Sequence, residues 1–290
     1  MITYRLETPL GPLRALTDGL FRSGPPVILL HGWGLSPWAW GALMPPAMRR
    51  QRRWYALSLP GHLPDEAVAM PASLTTEQLA AALAQALEDL VGDEPVHLVG
   101  HSLGGFWGVC LAAYRPERLA RLVLVAGSAQ GSWAGALSRI QRLSRRRGGR
   151  LLFRIGYRWL TARPGRFRRL LVRLSGRPEA WAQEAGQVFF DSVYPDAKRY
   201  RPEVLLQLAC EVARLDLTDH LSTMSLPVLL IAGARDPVVP LAQVHKMAAR
   251  LPEVQVKVWP EVGHFPMVEA PEAVFALMES FLALESPSRI

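Results

Sequence analysis

The segment Val99-Gly-His-Ser-Leu-Gly-Gly105 constrains this chain more than any other. It lies between two apolar runs, one predicted as a strand over residues 96–99 and one predicted as a helix over about 103–114. A G-x-S-x-G pattern in that setting requires a sharp strand-to-helix turn with Ser102 at its apex. The turn holds the serine in a strained backbone conformation with its hydroxyl thrust outwards. Gly100 and Gly104 are required to be small, because a Cβ at either place would collide with the neighbouring strand or helix. The helix N-terminus then directs free N–H groups and the positive end of its dipole at charge developing near the serine.

The remaining chain supplies the sheet that such a turn needs. Strands are predicted over 2–8 and 13–18, joined at Pro9-Leu-Gly-Pro12, and over 27–30, 54–59, 119–126, 225–232 and 253–259. Helices are predicted over 74–91, with Thr75 or Thr76 near its start, and over 240–250 and 270–284. With the strand and helix around Ser102, this is a mainly parallel eight-stranded sheet with helices on both faces. Between about 128 and 222 the strands cease. Helical apolar spacing replaces them (Ile140 and Leu143; Leu151, Leu152, Ile155 and Trp159; Phe167, Leu170, Leu171 and Leu174), broken at Gly148-Gly149 and Pro164. The expected organisation is a core domain over 1–127 and 223–290, with a helical cap over 128–222 inserted after strand six.

With 290 residues, half of them hydrophobic, the chain can bury a sizeable core, which excludes disordered, collagen-like and disulfide-scaffold classes. Cys110 and Cys210 each sit in an apolar stretch and are expected as free thiols. The first residues carry no apolar core of a secretory signal, and no run approaches the ~18 apolar residues that span a bilayer, so a cytoplasmic protein is expected.

A serine hydroxyl needs a base to take its proton and an acid to orient that base. Of the seven histidines, His264 has the right context: it follows the strand ending at Trp259 and precedes the last helix, where catalytic loops gather in open parallel sheets. His31 belongs to the His31-Gly-Trp-Gly34 turn and His97 lies inside a strand; both read as structural. His101 is expected to point away from the side that Ser102 uses. The acid is Asp236, in the turn opened by Gly233 after a buried strand. Ser102, Asp236 and His264 form the expected triad. The oxyanion hole is expected from Leu103 N–H and from Trp33 N–H in the glycine-rich turn after the third strand. Trp38, Phe106 and Trp159 are expected to line a substrate pocket, with Trp40, Trp133 and other aromatics of the insert. No ligand cluster for a metal and no phosphate-cradling loop is present, so no cofactor is expected.

Four motifs, His31-Gly-Trp-Gly34, Gly100-His-Ser-Leu-Gly-Gly105, Gly233-Ala-Arg-Asp-Pro-Val-Val-Pro240 and Gly263-His-Phe-Pro-Met-Val-Glu-Ala-Pro271, resemble those of the α/β-hydrolase family in order and spacing. The resemblance covers nearly the whole chain. It implies an α/β-hydrolase fold and a serine nucleophile, while leaving the substrate open among esters, lactones and C–C bonds. One departure is Ser58-Leu-Pro-Gly-His-Leu-Pro64, where the family often has Asp and a Gly-x-Gly-x-Ser run; an altered loop without effect on the triad is expected there.

Net charge is +8, yet 14 of the 33 basic residues fall between Arg139 and Arg177, a stretch with no Asp, Glu or Lys. The remainder carries 19 basic against 25 acidic residues, so a nucleic-acid reading of the high pI fails. Three readings of the insert stand: a solvated face, a docking site for an acidic acyl-carrier protein, and, least favoured, attraction to an anionic membrane with Trp159 and Phe167 dipping in. The turn and the short Arg-bearing cap are similar to bacterial pimeloyl-acyl-carrier-protein methyl ester esterases. The expected function is that of a serine carboxylesterase acting on a small-molecule ester. The rivals are the carrier-protein methyl ester esterase, a C–C bond hydrolase, and a non-catalytic binding module.

Overall fold

A computed structural model describes residues 1–20, 22–63, 71, 73–143 and 147–283. The chain runs β1 (Ile2–Leu6), β2 (Leu13–Thr17), β3 (Val27–Leu30), α1 (Trp38–Leu43), α2 (Pro46–Gln51), β4 (Trp54–Leu57), α3 (Thr76–Val91), β5 (Val96–His101), α4 (Leu103–Tyr114) and β6 (Leu119–Val125). It continues through α5 (Leu137–Leu143), α6 (Gly149–Thr161), α7 (Pro164–Arg173), α8 (Glu184–Ala197) and α9 (Pro202–Val212). It closes with β7 (Val228–Gly233), α10 (Leu241–Ala248), β8 (Val254–Trp259), α11 (Pro266–Glu269) and α12 (Pro271–Ala283). The last residue predicted as helix, at 284, lies outside the described residues.

The eight strands form one sheet in the order β1-β2-β4-β3-β5-β6-β7-β8. β1 and β2 pair antiparallel, as do β2 and β4, and every other pair is parallel. Strands β3, β5 and β7 are buried along their whole length, which is why they read as unbroken apolar runs rather than alternating ones. α3 buries only one face and starts with a capping box between Thr75 and Gln78. α4 is buried from Leu103 to Ala112, on every side, so no amphipathic stripe marks it. Cys110 is buried within it and Cys210 is half-buried; both thiols are free.

The connection from β3 crosses to β4 on one side, and the next strand, β5, returns to the other side of β3. Strand order therefore reverses between β3 and β5, and the space beyond their carboxyl ends is where an open α/β sheet leaves a crevice. Five helices, α5–α9, occupy the sequence between β6 and β7. The two ends of that stretch pair with each other: Gly131 N–H donates to Leu215 O at 3.0 Å and Leu217 N–H to Ala129 O at 2.9 Å. Among the described residues no helix is long and apolar enough to cross a membrane.

α6 departs from the sequence reading. The spacing of Leu151, Leu152, Ile155 and Trp159 predicts the packed face, yet Phe153, Tyr157 and Thr161 are the residues buried, and those four are exposed. Tyr157 closes the buried face by donating to Ala197 O at 2.6 Å.

Candidate active site

Ser102 sits between the end of β5 and the start of α4 with φ 52° and ψ −116°, a conformation costly for a residue with a side chain, on the order of 1–3 kcal/mol. Close packing holds it there. A Cβ on Gly100 would lie 2.4 Å from Gly104 O, and a Cβ on Gly104 would lie 2.6 Å from His31 O, in both cases against backbone that cannot swing aside. Ser102 N–H donates to Val125 O at 3.0 Å, tying the turn to the end of β6.

The loops after β7 and β8 bring the other two residues to this point. His264 Nε2 lies 3.0 Å from Ser102 Oγ, and His264 Nδ1 lies 2.8 Å from Asp236 Oδ2. An ionised carboxylate only accepts, so the proton is on Nδ1, and Nε2 keeps a lone pair facing the serine hydroxyl. Asp236 Oδ1 accepts from Val238 N–H at 2.7 Å and Val239 N–H at 3.0 Å, which fixes the carboxylate plane. Asp236 and His264 are both buried, while Ser102 remains partly accessible.

His264 is held from behind by residues that the sequence reading passes over. The carboxylate of Glu269, 2% exposed, accepts through Oε2 from Gly263, Gly176 and Arg177 N–H at 2.8–2.9 Å. Its Oε1 accepts from Phe265 N–H at 3.1 Å. One buried carboxylate thus grips the backbone on both sides of His264 and joins it to the stretch after α7. His264 N–H adds a bond to Leu174 O at 2.9 Å. His101, expected to point away, packs its ring 5.0 Å from that of His264 and donates from Nε2 to His264 O at 2.8 Å. Burial, with the neighbouring His264 adding to it, pushes His101 down to about 3, so it stays neutral.

Leu103 N–H is the first of α4, one of the donors that a helix start leaves without an intrahelical acceptor. Trp33, beside it across the crevice, is in the His31-Gly-Trp-Gly34 turn, and Gly34 adopts φ 70° there. Two histidines brace this turn. His62 Nε2 accepts from Gly34 N–H at 2.9 Å while its Nδ1–H donates to Pro60 O at 3.1 Å. His31 Nε2 accepts from Leu59 N–H at 3.2 Å while its Nδ1–H donates to Gly32 O at 2.8 Å. Both act as acceptors, so both must be neutral: burial holds His31 well below its usual value and brings His62 to about 4. His62 comes from the loop that departs from the family pattern; its last residue, Pro64, lies outside the described residues. The Gly-His pair within that loop was the available signal for this role.

A cavity of about 370 Å³ opens above Ser102. Gly32, Trp33 and His264 lie at its floor, and side chains of the helices between β6 and β7, including Phe153, Tyr157 and Phe167, form its walls. Trp133 lines it as expected. Trp38, Phe106 and Trp159 do not. Trp38 faces a separate depression beside Met1 and Arg49. Phe106 is one turn into α4, 2% exposed, and packs in the core behind the turn. Trp159 is on the outer face of α6, 58% exposed, with the Arg166 guanidinium 4.0 Å above its ring. Trp40 is buried too, donating to Leu30 O at 3.0 Å. Aromatic content alone did not tell which helix face turns inwards.

Comparison with known proteins agrees with this geometry. Residues 27–277 match the alpha/beta hydrolase family. A pimeloyl-[acyl-carrier protein] methyl ester esterase of Aeromonas hydrophila is 28% identical over 268 residues, covering 90% of this chain and 97% of that protein. One from Aromatoleum aromaticum is 30% identical over 267 residues, 88% of this chain and 97% of the relative. Among solved structures, a hydrolase from Pseudomonas aeruginosa superposes with a TM-score of 0.74 at 25% identity, covering 97% of this chain and 98% of the other.

Proposed function

The chain belongs to the alpha/beta hydrolase family, and from that premise we propose that it is a serine carboxylic ester hydrolase working through an acyl-enzyme. Ser102 Oγ attacks the ester carbonyl carbon as its proton passes to His264 Nε2. Asp236 holds the tautomer and balances the imidazolium that forms. Leu103 N–H and Trp33 N–H receive the oxyanion. Collapse of the tetrahedral intermediate expels the alkoxide, which takes the proton from His264. A water then repeats the sequence on the acyl-enzyme and returns Ser102. The helices of the 128–222 stretch act as a cap that forms the acyl side of the cavity.

The observation that carries this reading is the continuous chain Ser102 Oγ, His264 Nε2, His264 Nδ1, Asp236 Oδ2, with spacings of 3.0 and 2.8 Å. The cavity walls are apolar, which suits an uncharged acyl chain. The test is a rate profile on p-nitrophenyl esters from acetate to palmitate. A peak at short or medium chains supports the reading, and no turnover on any ester contradicts it.

A second reading, hydrolysis of a methyl ester carried on an acyl-carrier protein, is favoured by the names of the relatives at 28% and 30% identity. It predicts a KM that rises with salt for carrier-bound methyl esters and not for small ones.

A further inference from the structure

α6 is apolar on two sides. One side, Phe153 and Tyr157, is buried against the body of the protein. The other carries Leu151, Leu152, Ile155 and Trp159, exposed to 51%, 61%, 58% and 58%. At 3.6 residues per turn these four occupy one stripe about 100° wide. Arg150, Arg154 and Arg158, all exposed, run along one edge of the stripe. Along its other edge Leu152 is at once exposed and part of the cavity lining, so the stripe leads into the mouth of the cavity. From α7, Leu170 lines the same mouth, and exposed Arg169 and Arg173 add charge. No acidic residue occurs between Arg139 and Arg177.

We propose that this face is a docking surface for an anionic lipid bilayer, which the α6 stripe enters to the depth of the headgroups while the arginines meet lipid phosphates. The two features sit side by side on one helix, the arrangement of a helix lying in a membrane interface. Trp159, half out of the protein with its indole stacked under Arg166, is placed where an interfacial tryptophan belongs. Phe167, in contrast, is 4% exposed and takes no part. A second copy of the chain is a poor occupant, because pairing two such faces sets arginine rows against each other. An acidic protein would answer the guanidiniums but would also have to offer an apolar trough three turns long. A bilayer supplies apolar depth and phosphate in the same plane. The binding surface stands apart from the ester-hydrolase reading; what rests on that reading is the consequence that an ester dissolved in the bilayer faces the cavity mouth.

The test is co-sedimentation of the full chain with phosphatidylcholine vesicles and with equal mixtures of phosphatidylcholine and phosphatidylglycerol. Binding to the anionic vesicles is expected, at least tenfold stronger than to the neutral ones and weakening with salt. Each of Arg154→Ala and Arg158→Ala lowers partitioning about fivefold, and Ile155→Asp lowers it at least tenfold. All three positions are solvent-facing, so circular dichroism of the variants matches the wild type. Ser102→Ala binds as the wild type does, which separates failure of docking from failure of the catalytic reading. Equal binding to both vesicle types, or none, overturns the proposal. So does a dimer in light scattering that Ile155→Asp dissociates, or binding of an acidic acyl-carrier protein that Ile155→Asp abolishes while vesicles go unbound.

Discussion

Both oxygens of Asp236 are engaged, Oδ1 by two backbone N–H groups and Oδ2 by His264. Asp236→Asn keeps the shape but offers an amide N–H where His264 needs an acceptor, so the imidazole turns its protonated nitrogen towards Ser102. We expect kcat on a p-nitrophenyl ester to fall about 10⁴-fold with an unchanged melting temperature; a loss under tenfold would remove Asp236 from the proposed reaction. Glu269 acts at one remove. Its carboxylate fixes Gly263 and Phe265 on either side of His264, and Glu269→Gln replaces one of its accepting oxygens with a donor. A displaced base costs rate more than affinity, so kcat should drop tenfold or more with KM little moved, and Glu269→Asp should recover part of it. Equal losses in stability with no kcat effect would make Glu269 merely structural. The triad was legible from loop context alone, because Ser102, Asp236 and His264 each follow a buried strand. Glu269 was not, since nothing in Met-Val-Glu-Ala distinguishes a buried carboxylate from a solvated one.

At the level of elements, the turn into α4 depends on backbone approaching backbone. Gly104→Ala would bring a methyl group to 2.6 Å from His31 O, and the end of β3 cannot move without moving Trp33. The expected cost is about 2–3 kcal/mol, seen as a fall of several degrees in melting temperature, together with loss of ester turnover. A fully active Gly104→Ala would mean that β3 and α4 are less tightly joined than the structure has them. The strands were readable because buried parallel strands are short apolar runs closed by turns. α6 misled for a physical reason: it has two apolar faces, and periodicity finds both without saying which one the protein covers. α1 went unpredicted because it is short, six residues with no side-chain cap, and Trp38 was read as a pocket residue instead.

Across the whole molecule, three buried histidines brace the loops around the site in their neutral form, and a fourth, His97, is buried within β5 and lowered to about 4. Unfolded, each binds a proton near pH 6.5; folded, His62 does so only near 4 and His101 near 3. Their folded values are depressed, so the stability they contribute is complete above about pH 6.5 and drains away as pH falls towards 4 and below. Each one contributes a slope of about 1.4 kcal/mol per pH unit across that window. Urea midpoints should therefore drop steeply from pH 7.5 to pH 5, and less steeply in His62→Gln; a flat profile would contradict the buried, neutral state. The sheet order and the helical stretch after β6 were visible in the alternation of periods along the chain. The cavity was not, because its shape depends on how the five helices pack. The central claim is that Ser102 is the nucleophile of an ester hydrolase, and covalent trapping tests it most directly. Treated with an alkyl fluorophosphonate, the intact protein should gain the mass of one phosphonyl group, mapped to the peptide containing Ser102, with no gain in Ser102→Ala. A label on any other residue, or equal labelling of Ser102→Ala, would contradict the account.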